Sequence, residues 1–355
     1  MKAWELAAFR PIPDAIKEVN GRMPCRLAVL AAVTAFVVLV SGAAADTPRI
    51  SFQIATGSTV GVYFPVGEAI AGIISHPPGV NRCEAANVCG PAGLIATART
   101  SEGALENLLS VNDGSVESGL AQSDVIAAAV KGDGPFKAKG KQSHVRVIAS
   151  LFSEEVHLIV ADKAKIKSVT DLRGKRVSLG TPGSGVGLTA REILSAYRVP
   201  ESRLKLVSSD LPSSVAMLKQ GKLDAFFAVG GVPIATLGDL LASHTVRLVP
   251  IDGPQRERLV KDQPSLLIST ITYPGIDAVP TVSTRATWII RDSAPDSLVY
   301  GITRALFNPA NRDVLRASHP SAREIGLATA ALAPPAPLHP GAARFYAEAA
   351  RNAQR

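Results

Sequence analysis

Along this chain, short apolar runs alternate with segments whose apolar residues recur every three or four positions. "RISFQIA" at residues 49–55 reads as a strand, and Val66, Ala69, Ile70, Ile73 and Ile74 then fall on one helical face. "AGLIATART" predicts a second strand, with Leu105, Leu108 and Leu109 following at helical spacing. "SGLAQ" predicts a short strand and "SDVIAAAVKG" a short helix, with Ser123 or Asp124 placed to cap it. "HVRVIASLF" and "EVHLIVAD" predict two strands with little between them. "GKRVSLG", "LKLVSSD" and "DAFFAVG" predict three more. Between these lie a loop entering a helix, "TPGSGVGLTAREILSAY", and a helix, "SSVAMLKQGKL". Pro233 stands where a first-turn proline would start "PIATLGDLLAS". "DSLVYGITRALF" and "AARFYAEAARNA" read as helices, the second preceded by the Pro-rich "LAPPAPLHPG". Such repeated alternation predicts an α/β fold with mostly parallel sheets.

The chain is expected to cross between two units twice, at "SLFSEEVHLIV" and again at "TVSTRATWIIR". This gives one lobe from residues 46–155 plus 285–355 and a second from residues 156–284. The amino terminus stands apart. Residues 27–40 form an uncharged apolar run, Arg22 and Arg26 precede it, and Ala43 and Ala45 have the spacing of a cleavage signal. Residues 1–45 therefore read as a secretory signal peptide cut after Ala45, with Met23 as an alternative start; the run is short for a membrane anchor. The expected location is periplasmic.

Composition changes the picture little. Of 355 residues, 38 are Lys or Arg and 30 are Asp or Glu. Without residues 1–45, which carry five basic and three acidic residues, the balance is +6. That is too mild to demand nucleic acid, and it suits an acidic small ligand or an anionic surface. The densest basic cluster, Lys131, Lys137, Lys139, Lys141 and Arg146, lies in a Gly-rich stretch with few aromatics and reads as a solvated loop. Cys83 and Cys89, in "RCEAANVCG", are expected to form a disulfide pinning a surface loop. A metal site would need ligands that are not close by.

Five times a strand gives way to small residues and then to a helix: at 56–59, 101–104, 122–124, 181–187 and 230–233. In an open parallel sheet such loops gather at the carboxyl ends of strands, where ligands bind. Free amides at a helix start favour an anion such as a carboxylate. Three of the loops fall in the first unit and two in the second, which predicts a cleft with donors on both walls. Catalytic patterns are weak. His76, His144, His157, His244, His319 and His339 have no metal spacing, and no metal or cofactor is expected. Glu154 and Glu155 are adjacent, so in a strand they point to opposite faces and cannot act as a pair. Ser184 lacks the G-x-S-x-G elbow, Ser202 and Lys205 match S-x-x-K without a companion motif, and His157 reads as structural.

The segments "ATGSTVGVYFPVG", "SEGALENL", "AQSDV", "VTDLRGKRVSLGTPGSGVGLTAREIL", "DAFFAVGGVP", "YPGIDAVPTVSTRATWIIR" and "PLHPGA" carry a family resemblance, in order, over nearly all of residues 50–345. The chain resembles the TAXI family, the extracytoplasmic solute-binding subunits of tripartite ATP-independent periplasmic (TRAP) transporters. The resemblance implies a two-lobed, type II periplasmic-binding-protein-like fold with two hinge crossings. It implies a small carboxylate or amino-acid-like solute, delivered to membrane permease subunits by a monomer. Carried over by position, it places Gly57, Ser58, Thr59, Tyr63, Ser101, Gly103, Gln122 and Ser123 on one wall of the ligand site. Gly183, Ser184, Gly185 and Val232 would form the other. The sequence also departs from the family pattern. Val60 replaces a glycine, Val62 a threonine and Phe64 a tyrosine, while Ala104 and Val186 stand where hydroxyls are common. These changes imply a carboxylate with an apolar body. Arg99, Arg191 and Arg285 are candidates to clamp it. An ATP-driven importer or a sensor could use the same kind of receptor, and a scaffold could use its lobes as a surface; an exported enzyme fits less well, for want of a nucleophile and base.

Overall fold

A computed structural model describes residues 49–354. The signal-peptide reading lies outside the described residues. Ten strands form one mixed sheet in the order β2-β1-β3-β10-β4-β7-β5-β6, with β8 pairing β4 and β9 pairing β10. In chain order the first half contributes β1 (Ile50–Ala55), α1 (Tyr63–Ile74), β2 (Leu94–Arg99), α2 (Ala104–Asp113), β3 (Ser118–Gln122) and α3 (Ser123–Lys131). The long β4 (Val145–Ala161) leads into β5 (Arg176–Ser178), α4 (Val186–Ala196), β6 (Lys205–Val207), α5 (Leu211–Lys219) and β7 (Ala225–Gly230). Then come α6 (Ala235–Ala242), β8 (Val246–Leu248), α7 (Gly253–Asp262) and β9 (Leu267–Ile271). The second long strand, β10 (Val279–Arg291), returns to α8 (Asp296–Leu306), α9 (Arg312–Ser318), α10 (Leu327–Ala330) and α11 (Pro340–Ala353).

The pairing divides the sheet in two. β1 runs parallel to β2 and β3, and β5 runs parallel to β6 and β7. Between these groups β4 and β10 pair antiparallel, each serving both halves. Residues 279–283 of β10 pair with β9, and residues 286–290 pair with β3. β4 pairs with β7 from Glu155 onward, and with β10 up to that point. Both handovers occur at the same level, where Ser283 faces Glu155, Thr284 faces Glu154 and Arg285 faces Ser153. Burial along β4 is nearly continuous, as expected for a central strand covered on both faces.

Two apolar cores result. One is drawn wholly from residues 156–282, with Leu158, Ile193 and Phe227 among its members. The other joins Phe52, Leu120 and Trp288 to Leu218, Phe226 and Leu237. Trp288 is fully buried, faces Leu120 and Ala149 on its neighbouring strands, and donates its indole N–H to Ser118 Oγ at 3.2 Å.

Several expectations are corrected. "HVRVIASLF" and "EVHLIVAD" are one strand: Ser153, Glu154 and Glu155 interrupt the apolar pattern but keep their ladder partners on β10 and β7. Gln122, not Ser123 or Asp124, is the N-cap of α3, and no side chain caps it. Pro233 does not open α6; it precedes the Ile234 N-cap, after a cis bond from Val232. The pattern also missed β8, α7, β9 and α9. In α7 only Leu259 is buried, and in β9 Leu267 and Ile268 are exposed, so neither shows a core-facing period. Cys83 and Cys89 form the expected disulfide. Its loop is held by Asn308 and Asn311, whose amides donate to the Asn87 and Val88 carbonyls at 3.0 and 2.7 Å.

Truncating Trp288 removes the largest buried side chain from the strand that serves both halves. Trp288→Ala is expected to cost about 3–5 kcal/mol, read from the midpoint of urea unfolding.

Candidate functional site

The strand-to-helix loops of the two halves meet at one seam. Residues 57–61 turn between β1 and α1, closed by the Gly61 amide donating to Ser58 O at 3.0 Å. The N-cap of α1 is Val62, without a side-chain cap. The amides of Gly57, Ser58, Thr59, Val60 and Val62 meet no acceptor among the described residues. Opposite them, the uncapped start of α4 leaves the amides of Gly185, Val186 and Gly187 in the same condition. Two helix starts thus present bare N–H groups, the arrangement that favours an anionic group.

Between them lies a cavity of about 170 Å³. Gly57, Ser58, Tyr63, Gly103 and Gln122 line it from the first half, and Ser184 and Gly185 from the second. The other sequence candidates lie elsewhere. Thr59 is exposed at the mouth. Ser101 turns its hydroxyl to Asn107 Oδ1 at 2.6 Å and receives the Gly103 amide. Ser123, in the first turn of α3, is turned to β10, against Thr287 Oγ1 and the Arg285 carbonyl. Gly183 accepts the Glu106 amide across the seam at 3.1 Å. Val232 sits at the junction with residues 319–321, where Ser321 Oγ donates to its carbonyl at 3.0 Å. Apolar contact comes from Val60, Val62, Val186, Phe227, Val229 and Ile234. No residue of the Cys83–Cys89 loop is among the lining residues.

The seam is tightly closed. A Cβ on Gly185 would fall 1.5 Å from Gln122 Oε1 and 2.9 Å from Val125, so only glycine allows this approach. A direct side-chain hydrogen bond joins the two walls. Thr189 of α4 donates to Asp124 Oδ2 of α3 at 2.5 Å, and Thr284 of β10 donates to Oδ1 at 3.1 Å. Asp124 is 4 % exposed. Burial raises its pKa, and the two threonine hydroxyls hold it down. On the far side of residues 180–187 a larger crevice of about 980 Å³ carries Lys131, Arg191 and Glu192. Glu192 Oε2 is buried there without a partner among the described residues, and burial, with Asp124 nearby, pushes its pKa up to about 8.

Glu154 is the residue that pattern reading passed over. It lines the cavity floor at the strand handover and is 3 % exposed. Tyr63 donates its phenol to Glu154 Oε2 at 2.7 Å, and Oε1 meets no donor among the described residues. Burial pushes its pKa up to about 8, against the Tyr63 hydrogen bond that favours the charged form. The only visible signal was a polar pair inside a long apolar run. Glu155 does point away, toward Ser269 Oγ at 3.2 Å. His157 is a satisfied core histidine: Nδ1–H meets the Glu155 carbonyl at 2.9 Å, and Nε2 lies 3.2 Å from the Tyr273 hydroxyl. Burial lowers its pKa to about 4.

None of the arginine candidates lines this cavity. Arg99 reaches Gln53, Arg191 pairs with Glu201 at 2.9 Å, and Arg285 bonds Ser150 Oγ at 2.7 Å and the Leu151 carbonyl. The charged side chains that do line it are Glu102, Glu154 and Asp210. Among the described residues no cluster suited to a metal ion occurs, and no helix is long and apolar enough to cross a membrane.

The chain belongs to the NMT1-like family, whose sequence profile matches residues 54–349. Among solved structures it is similar to one described as a periplasmic transporter, at 13% identity and TM-score 0.49, covering 88% of this chain and 95% of that one. It is similar to the periplasmic aliphatic sulphonate binding protein of Escherichia coli at 15% identity and TM-score 0.43, covering 77% and 79%. It is also similar to the alkanesulfonate-binding protein of Xanthomonas axonopodis pv. citri bound to MOPS, at 12% identity and TM-score 0.46, covering 84% of each chain.

Two outcomes follow from this geometry. Thr189→Val keeps the side-chain volume but strands Asp124 Oδ2 in the closed seam, a cost of about 1–3 kcal/mol that an open seam avoids by hydration. The variant is expected to show a larger radius of gyration by small-angle X-ray scattering than the wild type. Glu154 keeps its proton to about pH 8 when folded, against 4.5 for the free side chain. Its stabilising contribution is therefore full below the lower value and is lost as pH rises through the higher one. In Glu154→Gln the fall in unfolding free energy between pH 5 and 9 should shrink by about 3–5 kcal/mol, measured by urea titration at each pH.

Proposed function

We propose, for this member of the NMT1-like family, a periplasmic solute-binding receptor of the TAXI type that serves a TRAP permease. The observation carrying the reading is the cavity between two halves joined by β4 and β10, with bare amides and hydroxyls contributed from both sides. In this reading residues 46–155 with 285–355 form one lobe and residues 156–284 the other, and β4 and β10 flex at residues 153–156 and 283–286. Solute binding favours the closed arrangement, because only there do both walls touch it. The Asp124–Thr189 contact forms in the same movement.

The solute is a small organic acid, a carboxylate or an amino-acid-like molecule, with its carboxylate at the amides of residues 57–62 and 185–187. Ser58, Tyr63, Gln122 and Ser184 supply further polar contacts, and Val60, Val186 and Phe227 hold its apolar part. Thr59 and Gly183 at the rim, and Ser101, Ser123 and Val232 behind it, shape the walls. The role requires no bond making or breaking, and the cycle ends with transfer to a membrane partner.

The test is a thermal-shift screen of carboxylates and amino acids on the purified protein. A true solute at a hundredfold its Kd should raise the unfolding free energy by about 2.7 kcal/mol, and Gly185→Val should abolish the shift. A protein that no member of the screen stabilises is not this receptor.

A further inference from the structure

We propose that the solute carries a primary ammonium group and that Glu154 is the residue that receives it; this rests on the receptor reading above and names the chemistry its cavity selects. The departures toward apolar residues in the sequence point to a simple carboxylate with an apolar body. The charges in the cavity point elsewhere. Its charged lining residues are Glu102, Glu154 and Asp210, with no Lys, Arg or His among them. Glu102 and Asp210 are exposed at the rim, where water screens them, and Asp210 already accepts the Ser213 amide as the cap of α5. Glu154 is different: it is 3 % exposed and sits on the floor.

One oxygen of Glu154 is committed to Tyr63. The other has no donor among the described residues, and Glu154 lines the cavity where a solute group can meet it. Burial already holds this carboxyl toward its neutral form, and a solute carboxylate beside it would disfavour its ionisation further. An ammonium group does the reverse: its positive charge favours the ionised carboxylate, and its three N–H donors meet an acceptor that lacks one. Burial is the main cause of the raised pKa of Glu154, and the neighbouring carboxyls of Asp124 and Glu155 add to it. Gln122 adds a second reader. It is 4 % exposed, and its side-chain amide makes no hydrogen bond among the described residues. The amides at the starts of α1 and α4 remain available for a carboxylate at the other end of the same molecule. A zwitterion therefore meets an acceptor and a set of donors in one cavity, with Val186 and Phe227 beside it.

Isothermal titration calorimetry on the wild-type protein decides this with matched pairs: L-glutamate against glutarate, L-leucine against 4-methylpentanoate, and each L-amino acid against its N-acetyl derivative. The expected result is an amine-bearing probe that binds at least tenfold more tightly than its deaminated and acetylated partners. Glu154→Gln should weaken that probe at least tenfold, whereas Glu68→Gln, on the exposed face of α1, leaves it unchanged. If Glu154→Gln does not fold, as judged by circular dichroism, the matched pairs on the wild type still decide. A deaminated acid that binds as tightly as its amine overturns the ammonium site and leaves the receptor standing. If neither set binds, the receptor reading falls and this proposal falls with it.

Discussion

The antiparallel pairing of β4 with β10 is the constraint on which the rest depends. Each strand begins in one half of the sheet and ends in the other, and the two change partners at the same level. Backbone hydrogen bonds there cannot be given up without exposing buried donors and acceptors. The pairing at the handover is therefore retained even where the strands bend, and the side chains it carries keep their register. Glu154 projects to the cavity, Thr284 to Asp124, and Arg285 to Ser150. The same few residues join the halves, floor the cavity and support the contact that closes the seam.

Electrostatics gives the seam its character. Asp124, Glu154 and Glu192 are brought close to the boundary, with Lys131 as an opposing charge near Glu192. Each carboxyl is pushed toward its neutral form by burial, and neutral donors rather than cations answer them: Thr189 and Thr284 for Asp124, Tyr63 for Glu154. Positive character is supplied instead by backbone, at the uncapped starts of α1 and α4. A polarity is thus built across a small space without a basic side chain at the cavity.

Much of this was legible from the chain alone, and the parts that were not have physical causes. The amphipathic helices and the strands β1, β2, β3 and β7 announced themselves, because burial on one or both faces leaves a periodic or continuous apolar signature. The strand-to-helix loops pointed to a shared gap, since glycine and small hydroxyls mark close backbone approach. Edge and surface elements such as β9 and α7 left no trace, for they bury too little. β4 looked broken because its polar residues serve the site while its backbone serves the sheet. Ser123 and Val232 show the limit of position matching. A residue can belong to the right loop and still turn its polar atom to a neighbouring element. Glu154 was set aside because its neighbour faces the other way; its true partner, Tyr63, is ninety-one positions distant in the chain.

The larger of the two apolar cores has a consequence for how this architecture can be altered. Because it unites Phe52, Leu120 and Trp288 with Leu218, Phe226 and Leu237, it belongs to neither half alone. Excising residues 156–284 would strip its contacts and leave an oily scar on the remainder. Recombination between relatives at the handover points must therefore exchange matched core residues on both sides, or produce chimaeras that aggregate before they can be assayed.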